Sequence, residues 1–272
     1  MRMPGARNTR LALIALVVVL LLLPVSKLEF FETIEGKTLD LRFRLLSDTA
    51  RASRDIVIVA VDGESMDRLD YLTWPWPRQI YTGCLDLIFG MGAKIVAFDI
   101  LFDLPSVYGS VFDEELGAVA ASGTTVFAMA LHKRPGREVP GMAALDRVGG
   151  DLSGLDSAWT STSPQPSIAE GAALLGNTYV RPDPDGVYRR MNLMTRTPVG
   201  PVPSFPLAVA ILALGGPDSI RLEPDRLWLN GRWLPLDGSY ELLIGYHGPT
   251  YTYEYVAIAD LVDALSLRAQ GL

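Results

Sequence analysis

The sequence predicts an α/β fold: a mostly parallel sheet with flanking helices, then a β-hairpin-rich C-terminal part, all preceded by one N-terminal transmembrane helix. Three observations predict it. Short β-branched runs at 56–61 (IVIVAV), 94–98 (KIVAF) and 124–131 (TTVFAMAL) alternate with helical stretches, the order that right-handed crossovers wind into a parallel sheet. Asn230-Gly231 stands between Trp228-Leu229 and Trp233-Leu234, a tight-hairpin signal. Residues 11–26 carry no charge and are bracketed by Arg10 and Lys27, as a membrane span would be.

That apolar run is the first element. As a helix it spans about 24 Å, short of the ~30 Å hydrocarbon core, and the side chains of Arg10 and Lys27 can reach outward to close the gap. Arg2, Arg7 and Arg10 precede it, and Glu29, Glu32 and Glu35 follow. The positive-inside rule then leaves residues 1–10 in the cytoplasm and carries residues 27–272 across. A cleaved signal peptide is the alternative. The exit Pro24-Val25-Ser26-Lys27 lacks the small-residue cleavage pattern, which favours an uncleaved anchor. Either way the bulk of the chain lies outside the cytoplasm.

The rest is built to fold. Hydrophobic residues make up 49% of the 272 residues and charged residues 20%, a globular rather than a disordered balance. From Lys27 onward, 21 basic side chains face 31 acidic ones, a net charge of −10. Such a domain is repelled by nucleic acid, and no basic stripe with interleaved aromatics offsets this, so nucleic-acid binding is excluded as a function. The single cysteine, Cys84, permits no intramolecular disulfide. It shares a helix face with Ile80, Leu87, Ile88 and Met91, so a buried, inert thiol is expected.

Along the chain, residues 28–46 show helical spacing and can extend the membrane helix as a stalk. The run 56–61 reads as a buried strand ending in Asp62-Gly63. A loop is expected over 63–78, a helix over 79–91 stopped by Gly92, a strand over 94–98 and a helix over 113–121. The strand 124–131 follows. Residues 133–167 read as loop, and a short helix is expected near 168–175. Two strands, 176–180 and 187–195, are expected to pair across Pro182-Asp183-Pro184-Asp185-Gly186, a turn sequence. A helix over 204–214, β structure from 219 to 246 and an amphipathic helix over 256–268 complete the chain.

Candidate site residues gather at strand ends, because ligands of open parallel sheets bind outside the strands' carboxyl ends. Asp62 and Asp99 each follow a strand. If those strands are neighbours, the two carboxylates converge, with Glu64, Ser65 and Asp103 close by, Arg78 as counter-charge and Trp76 lining a pocket. This group suits a small polar or ionic ligand; any metal would rest on Asp62 and Asp99, and no cofactor is implied. The competing reading makes Asp62 and Asp99 helix and turn caps, and Arg78 their buried ion-pair partner. It makes Trp74 and Trp76 a cover over a core edge. Nucleotide, dinucleotide, nucleophile-elbow and zinc-protease motifs are absent. Asp183-Pro184-Asp185-Gly186 falls short of a calcium loop.

The stretches 55–65 (DIVIVAVDGES), 74–78 (WPWPR) and 92–102 (GAKIVAFDILF), in order and spacing, resemble the CHASE domain of the second type. Residues 113–116, 183–190, 204–207 and 243–249 fit as well, and the resemblance covers about residues 28–270. It implies a bacterial receptor: an N-terminal membrane helix, this domain outside, then further membrane helices. The output inside the cell would be an adenylate or guanylate cyclase, a histidine kinase, a diguanylate cyclase or a protein kinase. Neither a ligand nor a catalytic residue carries over. The resemblance also implies one more strand, a turn and a helix after Leu272, without which the sheet is expected to have an open parallel edge.

The expected function is thus an extracytoplasmic sensory input module with an unidentified small-molecule or ionic ligand. A homodimer is expected by analogy with cyclases and histidine kinases. Two alternatives stand beside it: a metal-dependent periplasmic hydrolase using Asp62, Asp99 and Asp103, and a non-catalytic assembly module pairing through the open sheet edge.

Overall fold

The computed structural model describes Leu11, Val17 and residues 29–46, 48–49 and 52–271. The membrane helix expected over 11–26 therefore lies almost wholly outside the described residues. Among the described residues, no helix is long and apolar enough to cross a membrane. The chain forms two compact units.

The smaller unit takes the chain up to Ala52 together with Pro182–Arg189 and Gly245–Thr252. It contains helix α1 (Glu29–Leu46), as the helical spacing predicts. Arg189 is the centre of this unit. Its side chain is only 2% exposed and is held by Asp40 of α1 at 2.7 Å, by Asp183 at 2.9 Å and by Asp185 at 2.8 Å. Gly36 makes room for it: a Cβ there would lie 2.9 Å from the guanidinium carbon. Tyr246 donates its hydroxyl to the Tyr188 carbonyl and sets its ring edge-on to Phe43.

The larger unit holds every other element. In chain order these are β1 (Val57–Ala60), α2 (Gly63–Arg68), α3 (Arg78–Gly90), β2 (Val96–Phe98), α4 (Val111–Ala121), β3 (Thr125–His132), β4 (Arg137–Glu138), β5 (Gly149–Gly150), β6 (Thr160–Thr162), α5 (Pro166–Gly171) and β7 (Leu174–Asn177). There follow β8 (Arg190–Asn192), β9 (Met194–Thr197), β10 (Gly200–Pro203), α6 (Phe205–Ala213), β11 (Ile220–Glu223), β12 (Arg226–Leu229), β13 (Arg232–Pro235), β14 (Glu241–Leu243), β15 (Glu254–Ala257) and α7 (Ile258–Ala269).

The architecture is mixed α/β, with several small sheets in place of one large one. Its centre is β3, whose residues 126–129 are fully buried. β2 and β7 both run parallel to β3, and β6 pairs antiparallel with its C-terminal end. Side chains alternate along the strand: Phe127, Met129 and Leu131 enter a core shared with Leu85 of α3, Leu116 of α4 and Ile168 of α5. Val126 and Ala128 point the other way, and α6 packs against β3 and β7. Cys84 is buried in the same core, and burial pushes its thiol up to about 11. A second core joins α6 to the β11–β12–β13 meander through Ile211, Leu222, Leu227 and Leu229. The predicted hairpin is there, with Leu229 opposite Arg232 across Asn230-Gly231, both at positive φ.

Four expectations are corrected. First, the stretch 63–78 is not all loop, because Asp62 caps a two-turn helix, α2. Second, the loop expected over 133–167 contains β4, β5 and β6. Third, the strands flanking the 182–186 turn do not pair with each other. β7 joins β3, while β8 pairs with β14. A turn sequence sets a local bend, and the buried β3 offers β7 a better apolar partner than a surface ribbon does. Fourth, β1 is not the neighbour of β2: it pairs in parallel with β15 alone, and Val57 and Val59 remain exposed.

Candidate functional site

The seven residues singled out from the sequence fall into three places. Asp62, Glu64 and Ser65 form the start of α2. The Asp62 carboxylate accepts the Ser65 backbone N–H at 2.8 Å, as an N-cap does. That backbone N–H is the main reason the Asp62 pKa lies below the usual carboxylate value. Ser65 is fully buried. Exposed Glu64 meets Arg68 one turn on, and Arg68 bonds Asp260 and Asp263 of α7 at 2.6 Å each. Asp99 is exposed at the end of β2. The condition for Asp62 and Asp99 to converge, neighbouring strands, is not met: β1 pairs with β15 and β2 with β3. No group of three or more His, Cys, Asp or Glu side chains placed for a metal ion occurs among the described residues.

Trp76, Arg78 and Asp103 are brought together, lining a recess of about 210 Å³ with Trp74, Tyr81 and Phe102. Arg78 does not answer Asp62 or Asp99. Its Nε donates to Asp113 of α4 at 2.8 Å and its Nη2 to the Leu104 carbonyl at 2.8 Å. The other Asp113 oxygen accepts the Ser106 N–H at 2.8 Å. The pair is buried, with the side chains 9% and 4% exposed. It lashes the 104–106 loop between two helices. The guanidinium also lies 4.6 Å from the Phe102 ring centroid, close enough for a cation–π contact. Phe102 itself has φ +46°, and the rings of Tyr81, Phe98 and Phe127 pack around it. Trp76 is 1% exposed, whereas Trp74 is 51% exposed. This recess is small and aromatic, and the one cation lining it, Arg78, is already paired with Asp113.

A second cavity, of about 480 Å³, lies where sequence reasoning did not look. It opens beyond the carboxyl ends of the parallel strands β3 and β7, with His132, Lys133 and Arg134 at one and Asn177 at the other. Asp156, Arg181, Asn192 and Thr195 complete its polar lining. Asn177 is 5% exposed. Its side-chain oxygen accepts the N–H groups of Leu131 at 3.1 Å and Tyr179 at 3.2 Å, which leaves its Nδ2 as the unused donor. Asp156 accepts from Lys133 at 3.3 Å, Asn192 at 3.1 Å and Arg181 at 2.5 Å. His132 bonds Thr162 at 2.9 Å, the satisfied histidine that its isolation in sequence suggests. The size falls in the range of small-molecule pockets, roughly 300–1,000 Å³, and the place is the usual one for α/β sheets. Of the two strand ends marked in the sequence, that of β2 lies beside β3 in the parallel sheet and that of β1 does not; which strands are parallel neighbours depends on long-range pairing, and no charge pattern marks Asn177 or Asp156 in the sequence.

No curated protein and no solved structure matches the chain. The CHASE2 domain family matches residues 12–270, nearly the whole length. The chain belongs to the CHASE2 family of sensory domains.

Proposed function

We propose that this chain is the extracytoplasmic input module of a membrane receptor, anchored by a helix over residues 11–26, and that it controls a cyclase or kinase output as a homodimer. The family match over residues 12–270 carries this reading, because it takes in the apolar run and the folded units together. The arginines before the run and the glutamates after it support the outward direction. In this reading the module acts by changing conformation on binding, which requires unequal affinity for two states.

Location is the decisive test. Alkaline phosphatase, active only outside the cytoplasm, is fused after Leu272 of the full chain in a bacterial host. High activity is expected, with loss when residues 11–26 are deleted. An inactive fusion beside full-length, stable protein would overturn the reading. So would steady phosphatase or esterase turnover by the purified chain that Asp62→Ala or Asp99→Ala abolishes.

A further inference from the structure

We infer that the 480 Å³ cavity at the ends of β3 and β7 is a binding site for a small organic anion carrying carboxylates. The inference rests on the sensory reading for its purpose and on the cavity for its chemistry. The lining carries three cations, Lys133, Arg134 and Arg181, against one carboxylate, Asp156. A locally positive cavity in a region with a net charge of −10 is a specific feature, since the average field of the domain repels anions.

The donor set is already shown to suit a carboxylate. Asp156 is gripped by Lys133, Arg181 and Asn192, an arrangement that a ligand carboxylate can share. Three further groups lining the cavity can donate. Arg134 has no carboxylate partner among the described residues, and only its backbone carbonyl is engaged, by Thr160 at 2.6 Å. The Asn177 Nδ2 is left over once its oxygen has accepted two backbone N–H groups. No buried side-chain nitrogen or oxygen is orphaned among the described residues, so this donor keeps access to solvent, and Asn177 lines the cavity. Thr195, 8% exposed on β9, adds a hydroxyl. A polar floor of neutral donors under a cationic rim selects a compact anion with more than one acceptor group, held by charge-assisted bonds.

Succinate and citrate are the probes, with neutral succinamide and inorganic phosphate as comparators. Titrations use the full chain in detergent micelles at constant ionic strength, read by calorimetry and by Tm. Saturable binding of succinate or citrate is expected, with Tm rising in proportion to ln of concentration once the site saturates. Succinamide should give no shift. Arg134→Gln, an exposed residue outside both cores, should leave the unliganded Tm unchanged and weaken binding about tenfold or more, the usual worth of a hydrogen bond to a charged group. Arg181→Gln should weaken it similarly. Three results would each overturn the assignment: no binding by either carboxylate, binding untouched by both variants, or phosphate binding alone. None of these would alter the phosphatase-fusion result, so the site can fail while the sensory reading stands.

Discussion

At the scale of single residues, the Arg78–Asp113 pair is the most consequential interaction in the larger unit. Both side chains are almost fully buried, and the carboxylate is shared between a guanidinium and a backbone N–H. Removing one partner strands a desolvated charge, which costs about 3–5 kcal/mol, whereas replacing both by apolar side chains of similar size is often neutral. Asp113→Ala should therefore lose about that much stability in urea titration of the full chain, and Arg78→Met with Asp113→Leu should recover most of it. A loss below about 1 kcal/mol in Asp113→Ala would mean that the pair is solvated. The sequence disclosed Arg78 as a buried ion-pair partner but assigned it to Asp62 and Asp99. Asp113 is 35 residues away on a different helix, and no local pattern links the two. Asp62 was legible because capping is local: the carboxylate and the Ser65 N–H it accepts are three residues apart.

At the scale of elements, the periodic stretches were legible and the pairings were not. The helices α1, α3, α4, α6 and α7 fall within a few residues of their expected places, since an amphipathic period or an apolar run between caps is a local property. Ser204, for example, caps α6 through the Leu207 N–H. The partners of β1 and β7 depend on contacts far along the chain, so the expected hairpin across residues 182–186 gave way to a third parallel strand. Glycines mark one close approach that sequence alone left unread. Gly117 of α4 and Gly171 of α5 face each other so closely that a Cβ on Gly117 would stand 2.1 Å from the Ser167 carbonyl oxygen, and one on Gly171 would stand 2.1 Å from the Gly117 oxygen. Glycine to alanine in a helix normally stabilises by up to about 1 kcal/mol. At Gly117 the sign should reverse, because overpacking against backbone typically costs about 1–3 kcal/mol. Gly90 at the end of α3 has nothing within 4 Å of a built Cβ and should show the ordinary gain. Thermal melts of the two variants side by side decide it. Equal shifts of the same sign would refute the close-packing account.

At the scale of the whole molecule, the smaller unit is assembled from three stretches that are remote in sequence: α1, residues 182–189 and residues 245–252. Arg189 joins the first two, its partner Asp40 lying 149 residues away, and Tyr246 ties in the third through Tyr188 and Phe43. The Asp183-Pro184-Asp185-Gly186 segment was read correctly as a turn, with Gly186 at φ +81°. The use of its carboxylates as a clamp for Arg189 could not be read, because nothing local names Asp40. This clamp fixes the helix that follows the proposed membrane anchor within the smaller unit, so its pH dependence reports on how that unit holds together. Hydrogen bonds from Arg189 are the main reason that Asp185 falls from 3.8 to about 2 and that Asp40 is also lowered. A carboxylate whose folded pKa lies below its unfolded one adds stability above the unfolded value and loses it as pH falls through the folded value. The contribution of Asp185 should thus be complete above pH 3.8 and fade toward about 2. Asp185→Asn removes that linkage. The gap in Tm between the unaltered chain and Asp185→Asn should therefore be widest near pH 5 and narrow steadily toward pH 2. A gap that stays constant over that range would mean that the Asp185 carboxylate is not held by Arg189 in solution, and that α1 is secured by its remaining contacts within the smaller unit.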